Sequence, residues 1–131
     1  MPAALFDAPL DYDRLKALGA GLGSGGITVL GAQDSMVDLA RFFAGFCRRE
    51  SCGKCVPCRT GTVRMEELLG RIRDRAATPA ELELLRELGT TLRQASLCGL
   101  GQNAPNPVLS TLRFFPQEYA ALLAKDGASA P

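Results

Sequence analysis

Ser51-Cys52-Gly53-Lys54-Cys55-Val56-Pro57-Cys58 sets three cysteines at two-residue intervals, and a fourth, Cys98, follows far downstream. A loop with this C-x2-C-x2-C spacing can close round three corners of a cubane. A thiolate from a distant loop then completes the all-cysteine ligation of a [4Fe–4S] centre. The candidate ligands are Cys52, Cys55, Cys58 and Cys98. The chain has no histidine, which excludes Rieske centres, histidine-bearing zinc fingers and His-ligated haem. A four-cysteine zinc site, making a structural or docking module without a redox role, is the alternative. Zinc sites are usually built from two paired knuckles; a split of three and one favours the cluster and leaves zinc open.

The neighbouring residues suit a cluster. Thiolate ligands must be deprotonated, and their sulfurs need hydrogen-bond donors. Gly53 lets backbone N–H groups turn towards sulfur, and Gly99 and Gly101 allow the same close approach beside Cys98. Cys58 is expected near a helix start, where the dipole favours thiolate. Arg48, Arg49, Lys54, Arg59 and Arg64 crowd the loop, and cations there are expected to raise the potential of an anionic cluster. Arg59, beside a ligand, is the best candidate for a direct contact. Cys47 precedes the motif on an apolar helix face and reads as a small buried hydrophobe.

Outward from the loop the pattern is helical. Ser35 and Asp38 have the form of a capping box opening a first helix, with Leu39, Ala40, Phe43, Phe46 and Cys47 on one face. A second helix is expected from about Cys58 to Arg73, burying Met65, Leu68, Leu69 and Ile72 at i, i+3, i+4 and i+7. Thr78-Pro79-Ala80-Glu81 is a stronger start signal for a third helix, which buries Leu85, Leu88 and Leu92 and ends before Cys98. Asn106-Pro107 repeats the cap-then-proline signal for a fourth, through Val108, Leu109 and Leu112. Pro116 interrupts it, and a last helical segment carries Tyr119, Leu122 and Leu123. Four helices with two cysteine loops make a small bundle clamping a cluster at one end.

The first third reads differently. Tyr12, Leu15 and Leu18 have helical spacing, a glycine run follows over 19–26, and Ile27-Thr28-Val29-Leu30 reads as a short strand. The glycines precede the strand instead of following it, and no Lys-Ser/Thr comes after them, so they do not form a phosphate loop. One helix and one strand cannot make a self-sufficient layer. Residues 1–33 therefore read as the remnant of a larger α/β unit, residues 34–124 as the cluster domain, and residues 125–131 as a flexible tail. An incomplete unit would leave Leu22, Ile27 and Val29 exposed, which marks an interface.

Composition narrows the function. The 131 residues are 47% apolar with a net charge of +1, enough for a core and too neutral for phosphate-driven nucleic-acid binding. No run spans a bilayer, and no apolar signal segment stands within residues 1–13, so a cytoplasmic location is expected. No acid–base pair, nucleophile–base arrangement or dinucleotide fingerprint appears.

Glu50-Ser-Cys-Gly-Lys-Cys-Val-Pro-Cys-Arg-Thr-Gly61 resembles the cluster loop of the NADH-binding flavoprotein subunit of respiratory complex I. Its relatives include flavoprotein subunits of NAD(P)-linked hydrogenases and NAD-dependent formate dehydrogenases. Ser96-Leu-Cys-Gly-Leu-Gly-Gln-Asn-Ala-Pro-Asn-Pro-Val-Leu-Ser-Thr-Leu-Arg113 resembles the distal ligand segment, in wording closer to the hydrogenase and formate dehydrogenase branch. The Phe46-Cys47 pair is similar to that of some formate dehydrogenase subunits. Gly23 to Leu30 resembles the end of the β-grasp-like (SLBB) domain that precedes the cluster domain. The resemblance implies a mainly α fold: a four-helix iron–sulfur domain after a partial β-grasp remnant, with Cys52, Cys55, Cys58 and Cys98 as ligands. It implies that NAD(P)H reduces FMN and that single electrons leave through the cluster to further Fe–S centres. The FMN and NAD(H) sites of the family lie in an upstream α/β domain with no counterpart here. Both cofactors are therefore expected only on a partner domain or subunit of a redox complex.

Overall fold

The computed structural model describes residues 2–20, 23 and 25–124. The chain divides into two compact units, Met1–Asp34 and Ser35–Pro131. The expected tail, 125–131, and Leu22 lie outside the described residues.

In the first unit a 3-10 turn, Ala3–Leu5, precedes helix α1, Tyr12–Ala17. Asp11 caps α1 by accepting the Arg14 N–H at 2.7 Å. Leu15 is the one buried apolar residue here among those described. Gly19, Gly23 and Gly25 all have positive φ, as a flexible glycine connection requires. The strand expected over Ile27–Leu30 is not formed; no strand occurs among the described residues. A strand persists only when a neighbour pairs with its N–H and C=O groups. Without a partner the segment is irregular, and Ile27 and Val29 are exposed.

The second unit is helical: α2 Met36–Glu50, α3 Val56–Arg73, α4 Pro79–Ala95, α5 Gly99–Asn103, α6 Asn106–Phe114 and α7 Pro116–Leu122. Helix α3 is central. It packs against α2 and α4, and Met65, Leu68, Leu69 and Ile72 are fully buried along one face, as their spacing predicts. Helix α4 opens with the expected capping box: Thr78 Oγ1 accepts the Glu81 N–H while the Glu81 carboxylate accepts the Thr78 N–H. Glu81 also receives the Arg71 guanidinium through two bonds, at 2.6 and 3.1 Å. That pairing is the main reason its carboxyl lies below the usual carboxylate range. Leu85 and Leu92 are buried as expected, with Leu88 half-buried against the same core.

Three expectations are corrected. The inner face of α2 is Val37, Ala40 and Ala44, while Phe43 and Leu39 are half-buried and Phe46 is 48% exposed. The close approach of α3 selects small residues: a Cβ on Gly45 would lie 3.0 Å from Glu66 Oε1. Helix α6 has Pro105, not Asn106, at its N-cap. The Asn106 carboxamide instead donates to Asn103 Oδ1 at 3.0 Å and accepts from Arg93 Nη2 at 2.8 Å. Helix α5 forms where the sequence reads as loop, since two of its five residues are glycine.

Asp38 does not complete the box at Ser35. Ser35 Oγ accepts the Asp38 N–H at 3.2 Å, and a carboxylate from α7 takes the other donors of this helix start. Glu118 accepts from Ser35 Oγ at 2.8 Å, Met36 N–H at 3.2 Å and Val37 N–H at 3.3 Å. An aspartate side chain lacks the extra methylene that reaches back, and Asp38 lies 3.4 Å from Arg73 instead. Beside Glu118, Tyr119 is fully buried and its hydroxyl is 2.7 Å from Thr111 Oγ1. The Thr111 hydroxyl is directed at the Pro107 and Val108 carbonyls, so Tyr119 is the donor.

Glu118→Ala removes the acceptor of three donors at one helix start. It is expected to destabilise the chain by about 1–2 kcal/mol in urea titration, with the helical content kept. Burial pushes the Tyr119 hydroxyl from its ordinary 10.0 up to about 12. The folded state therefore favours the protonated form. This contribution is complete below about pH 10 and is lost as pH rises towards 12. Tyr119→Phe is expected to flatten the stability-against-pH curve in that window relative to the wild type.

Candidate metal centre

The cysteine loop connects α2 to α3. Cys55 is the N-cap of α3 with extended backbone, Pro57 occupies the first turn where its missing N–H is no loss, and Cys58 follows within that turn. The helix thus starts two residues earlier than its apolar periodicity predicts. Gly53 turns the loop at φ 74°. Arg59 Nη1 donates to the Gly53 carbonyl at 2.8 Å, tying the loop back onto α3. The contact expected of Arg59 is therefore made to the loop backbone.

Cys98 is delivered from the other side. Helix α4 ends at Ser96, whose N–H still donates to the Leu92 carbonyl at 3.1 Å. Leu92 lies on Gly61 of α3 so closely that a Cβ at Gly61 would collide with it. This seat fixes where α4 ends relative to the start of α3. Cys98 then serves as N-cap of α5.

The two segments meet. The Leu97 N–H is the first cause, and the Cys58 N–H the second, that hold the Cys55 thiol below its ordinary range. Ser51 Oγ lies 3.4 Å from Cys58 Sγ. It also accepts the Gly53 N–H at 3.3 Å. A Cys58 thiolate can only accept, so the Ser51 hydroxyl is then the donor. A Cβ on Gly101 would lie 2.6 Å from Ser96 Oγ and 3.0 Å from Cys58 Cβ, so only glycine fits between the segments.

The four candidate thiols differ in exposure: Cys58 is buried, Cys55 half-buried, and Cys52 and Cys98 exposed. Cys47 is half-buried against the core, and burial, with Cys58 second, pushes its thiol up. The surrounding arginines are largely engaged. Arg48 Nε lies 3.1 Å from Glu66 Oε2, and Arg64 Nη1 is 3.1 Å from Glu67 Oε2. Sequence reasoning missed Ser51, whose hydroxyl lies against Cys58, and Ser96, whose hydroxyl lies against Gly101; a serine in the same short segment as each cysteine was the available signal.

The iron–sulfur family model "NADH-ubiquinone oxidoreductase-F iron-sulfur binding region" matches residues 38–122. The chain belongs to this family. Among curated relatives, it is 45% identical over 115 residues to the NADP-reducing hydrogenase subunit HndC of Solidesulfovibrio fructosivorans, covering 88% of this chain and 24% of that protein. It is 32% identical over 115 residues to an NADH-quinone oxidoreductase subunit of Mycobacterium bovis, covering 88% and 26%. The chain thus spans about a quarter of the length of these relatives. Among solved structures, an NAD+-reducing [NiFe]-hydrogenase in the H2-reduced state matches with TM-score 0.71 and 35% identity, over 76% of this chain and 17% of that one.

The donor set fits the family's iron–sulfur group. It is all sulfur, its segments are held together by Gly101, and backbone N–H groups already face Cys55. Among the described residues no three His, Cys, Asp or Glu side chains converge on a single-ion site.

Gly101→Ala is expected to push the Cys98 segment off Cys58. Iron bound per chain after anaerobic reconstitution should fall at least severalfold, while circular dichroism keeps the helical signal.

Proposed function

We propose that Cys52, Cys55, Cys58 and Cys98 ligate one [4Fe–4S] cluster, and that residues 34–124 form an electron-transfer module of an NAD(P)H-linked oxidoreductase. The observation that carries this is the meeting of the two cysteine segments, with Gly101 wedged between Ser96 and Cys58. Such a cluster supplies one-electron redox chemistry. The chain's own residues do the rest. Gly53 and Arg59 hold the loop, Cys58 anchors it in the core, and Ser51 and the Leu97 N–H offer hydrogen bonds to sulfur. The exposed Cys52 and Cys98 put one side of the set at the surface, where a partner's redox centre can approach.

The proposed role is relay of single electrons between FMN on another domain or subunit and downstream iron–sulfur clusters. FMN and NAD(H) belong to that partner; no residue here is assigned to them. The partners are a flavin- and NADH-binding subunit and other iron–sulfur subunits. The higher identity to the hydrogenase relative favours a hydrogenase-type complex over a complex I type. Among the described residues no helix is long and apolar enough to cross a membrane, in keeping with a cytoplasmic assignment. Residues 1–33 are assigned to the end of a preceding β-grasp-like domain on the resemblance of Gly23 to Leu30.

The test is EPR on the anaerobically purified chain before and after dithionite, with iron and zinc quantified on the same sample. The expected result is a reduced-state [4Fe–4S] signal at about four irons per chain. Ala at Cys52, Cys55, Cys58 or Cys98 should abolish it, and Cys47→Ala should keep it. Stoichiometric zinc with no signal after reconstitution establishes the zinc-stabilised docking module instead.

A further inference from the structure

Ser96 is 4% exposed, and its hydroxyl oxygen is buried with no hydrogen-bond partner among the described residues. Its other polar groups are engaged. Its N–H donates to Leu92, and its carbonyl accepts Gln102 Nε2 at 3.0 Å. The residue is thus held from both sides with one donor left over. A buried hydroxyl with no partner is costly, and native chains rarely leave one. Its position says what the partner is. The point 2.6 Å from Ser96 Oγ where Gly101 would carry a Cβ is also 3.0 Å from Cys58 Cβ. Gly101 thus touches both Ser96 Oγ and Cys58 Cβ, which places the hydroxyl at the junction of the two segments that carry the sulfurs.

We propose that the Ser96 hydroxyl donates a hydrogen bond to a sulfur of the bound [4Fe–4S] cluster and so sets its reduction potential. The inference rests on the ligand assignment above. Cluster sulfurs, whether thiolate or sulfide, are acceptors. One-electron reduction adds negative charge to them, so a fixed donor favours the reduced state and raises the potential. Ser51 shows the arrangement on the other side of Cys58, where its hydroxyl has a sulfur 3.4 Å away. Ser96 is a tuning residue, not a ligand.

The experiment is an EPR-monitored redox titration of the reconstituted full chain and of Ser96→Ala, with proton ENDOR on the reduced cluster in H2O and D2O. At fixed ambient potential the variant's ratio of reduced to oxidised cluster is expected to fall about tenfold, a midpoint more negative by about 59 mV for a one-electron couple. One exchangeable proton coupling present in the wild type should be missing, and iron per chain should be unchanged. Ser96→Thr, which keeps the hydroxyl, should restore the coupling and the midpoint. An unchanged midpoint with identical exchangeable couplings overturns the proposal and gives the hydroxyl to a buried water. Should Ser96→Ala lose its iron, Ser96→Gly, which also lacks the hydroxyl, decides: loss of the one exchangeable coupling supports the bond, and a spectrum identical to the wild type overturns it. A wild-type chain that takes up no iron takes down the ligand assignment as well, which a cluster indifferent to Ser96 does not.

Discussion

Contact between Cys58 and the Ser96–Gly101 segment is the constraint on which the site depends. The loop from Cys52 to Cys58 can present three sulfurs on its own, but the fourth must arrive from a different helix. Its arrival is set by packing some distance away. Leu92 rests on Gly61, so α4 has one register on α3. That register places Ser96 one turn further on, aims the Leu97 N–H at Cys55 and leaves room for Gly101 alone. A larger residue at Gly61 would disturb the site without touching a cysteine. Geometry of this kind is better defined when rigid helices carry it than when loops do.

The same logic extends to the far end of α2. This helix is 15 residues long, about 22 Å, and its last turn leads into the cysteine loop. Its first turn is pinned by Glu118, which gathers two backbone donors and the Ser35 hydroxyl from across the bundle. Tyr119 is anchored to Thr111 at the next position, so α7 cannot turn and release the carboxylate without unmaking a fully buried bond. Helix α7, last of the described elements, thereby fixes the orientation of the helix that feeds the loop.

Local signals were legible and non-local ones were not. The Thr78–Glu81 box and the apolar face of α3 are each contained within a few residues, and each has the expected form. Glu118 as cap of α2 could not be read, because its partners are contacts between remote segments. The inner face of α2 was misassigned for a related reason. Aromatics at helical spacing suggested the core, but the face turned to α3 is the one carrying Val37, Ala40 and Ala44, and at Gly45 a Glu66 side chain leaves no space for more. Helix α5 forms despite two glycines because packing on α3 and α4 outweighs propensity. The Ile27–Leu30 pattern has the composition of a strand, but a strand is a property of a pair.

The electrostatics of the site follow from these placements. Basic residues near the loop suggest that cations raise the potential of an anionic cluster. The arginines flanking it are largely committed elsewhere: Arg48 to Glu66, Arg64 to Glu67, and Arg59 to the Gly53 carbonyl. The charges of Arg48 and Arg64 are half-exposed and paired, so solvent and their partners screen them, whereas Arg59 keeps its full charge because the Gly53 carbonyl is neutral. Neutral donors at hydrogen-bond range act in a drier setting, where each bond is worth more. The Leu97 N–H at Cys55 and the Ser51 hydroxyl at Cys58 are such groups. On the proposed ligation, a donor fixed by helix packing, such as the Ser51 hydroxyl at Cys58, acts on the sulfurs alongside the charges of Arg49, Lys54 and Arg59.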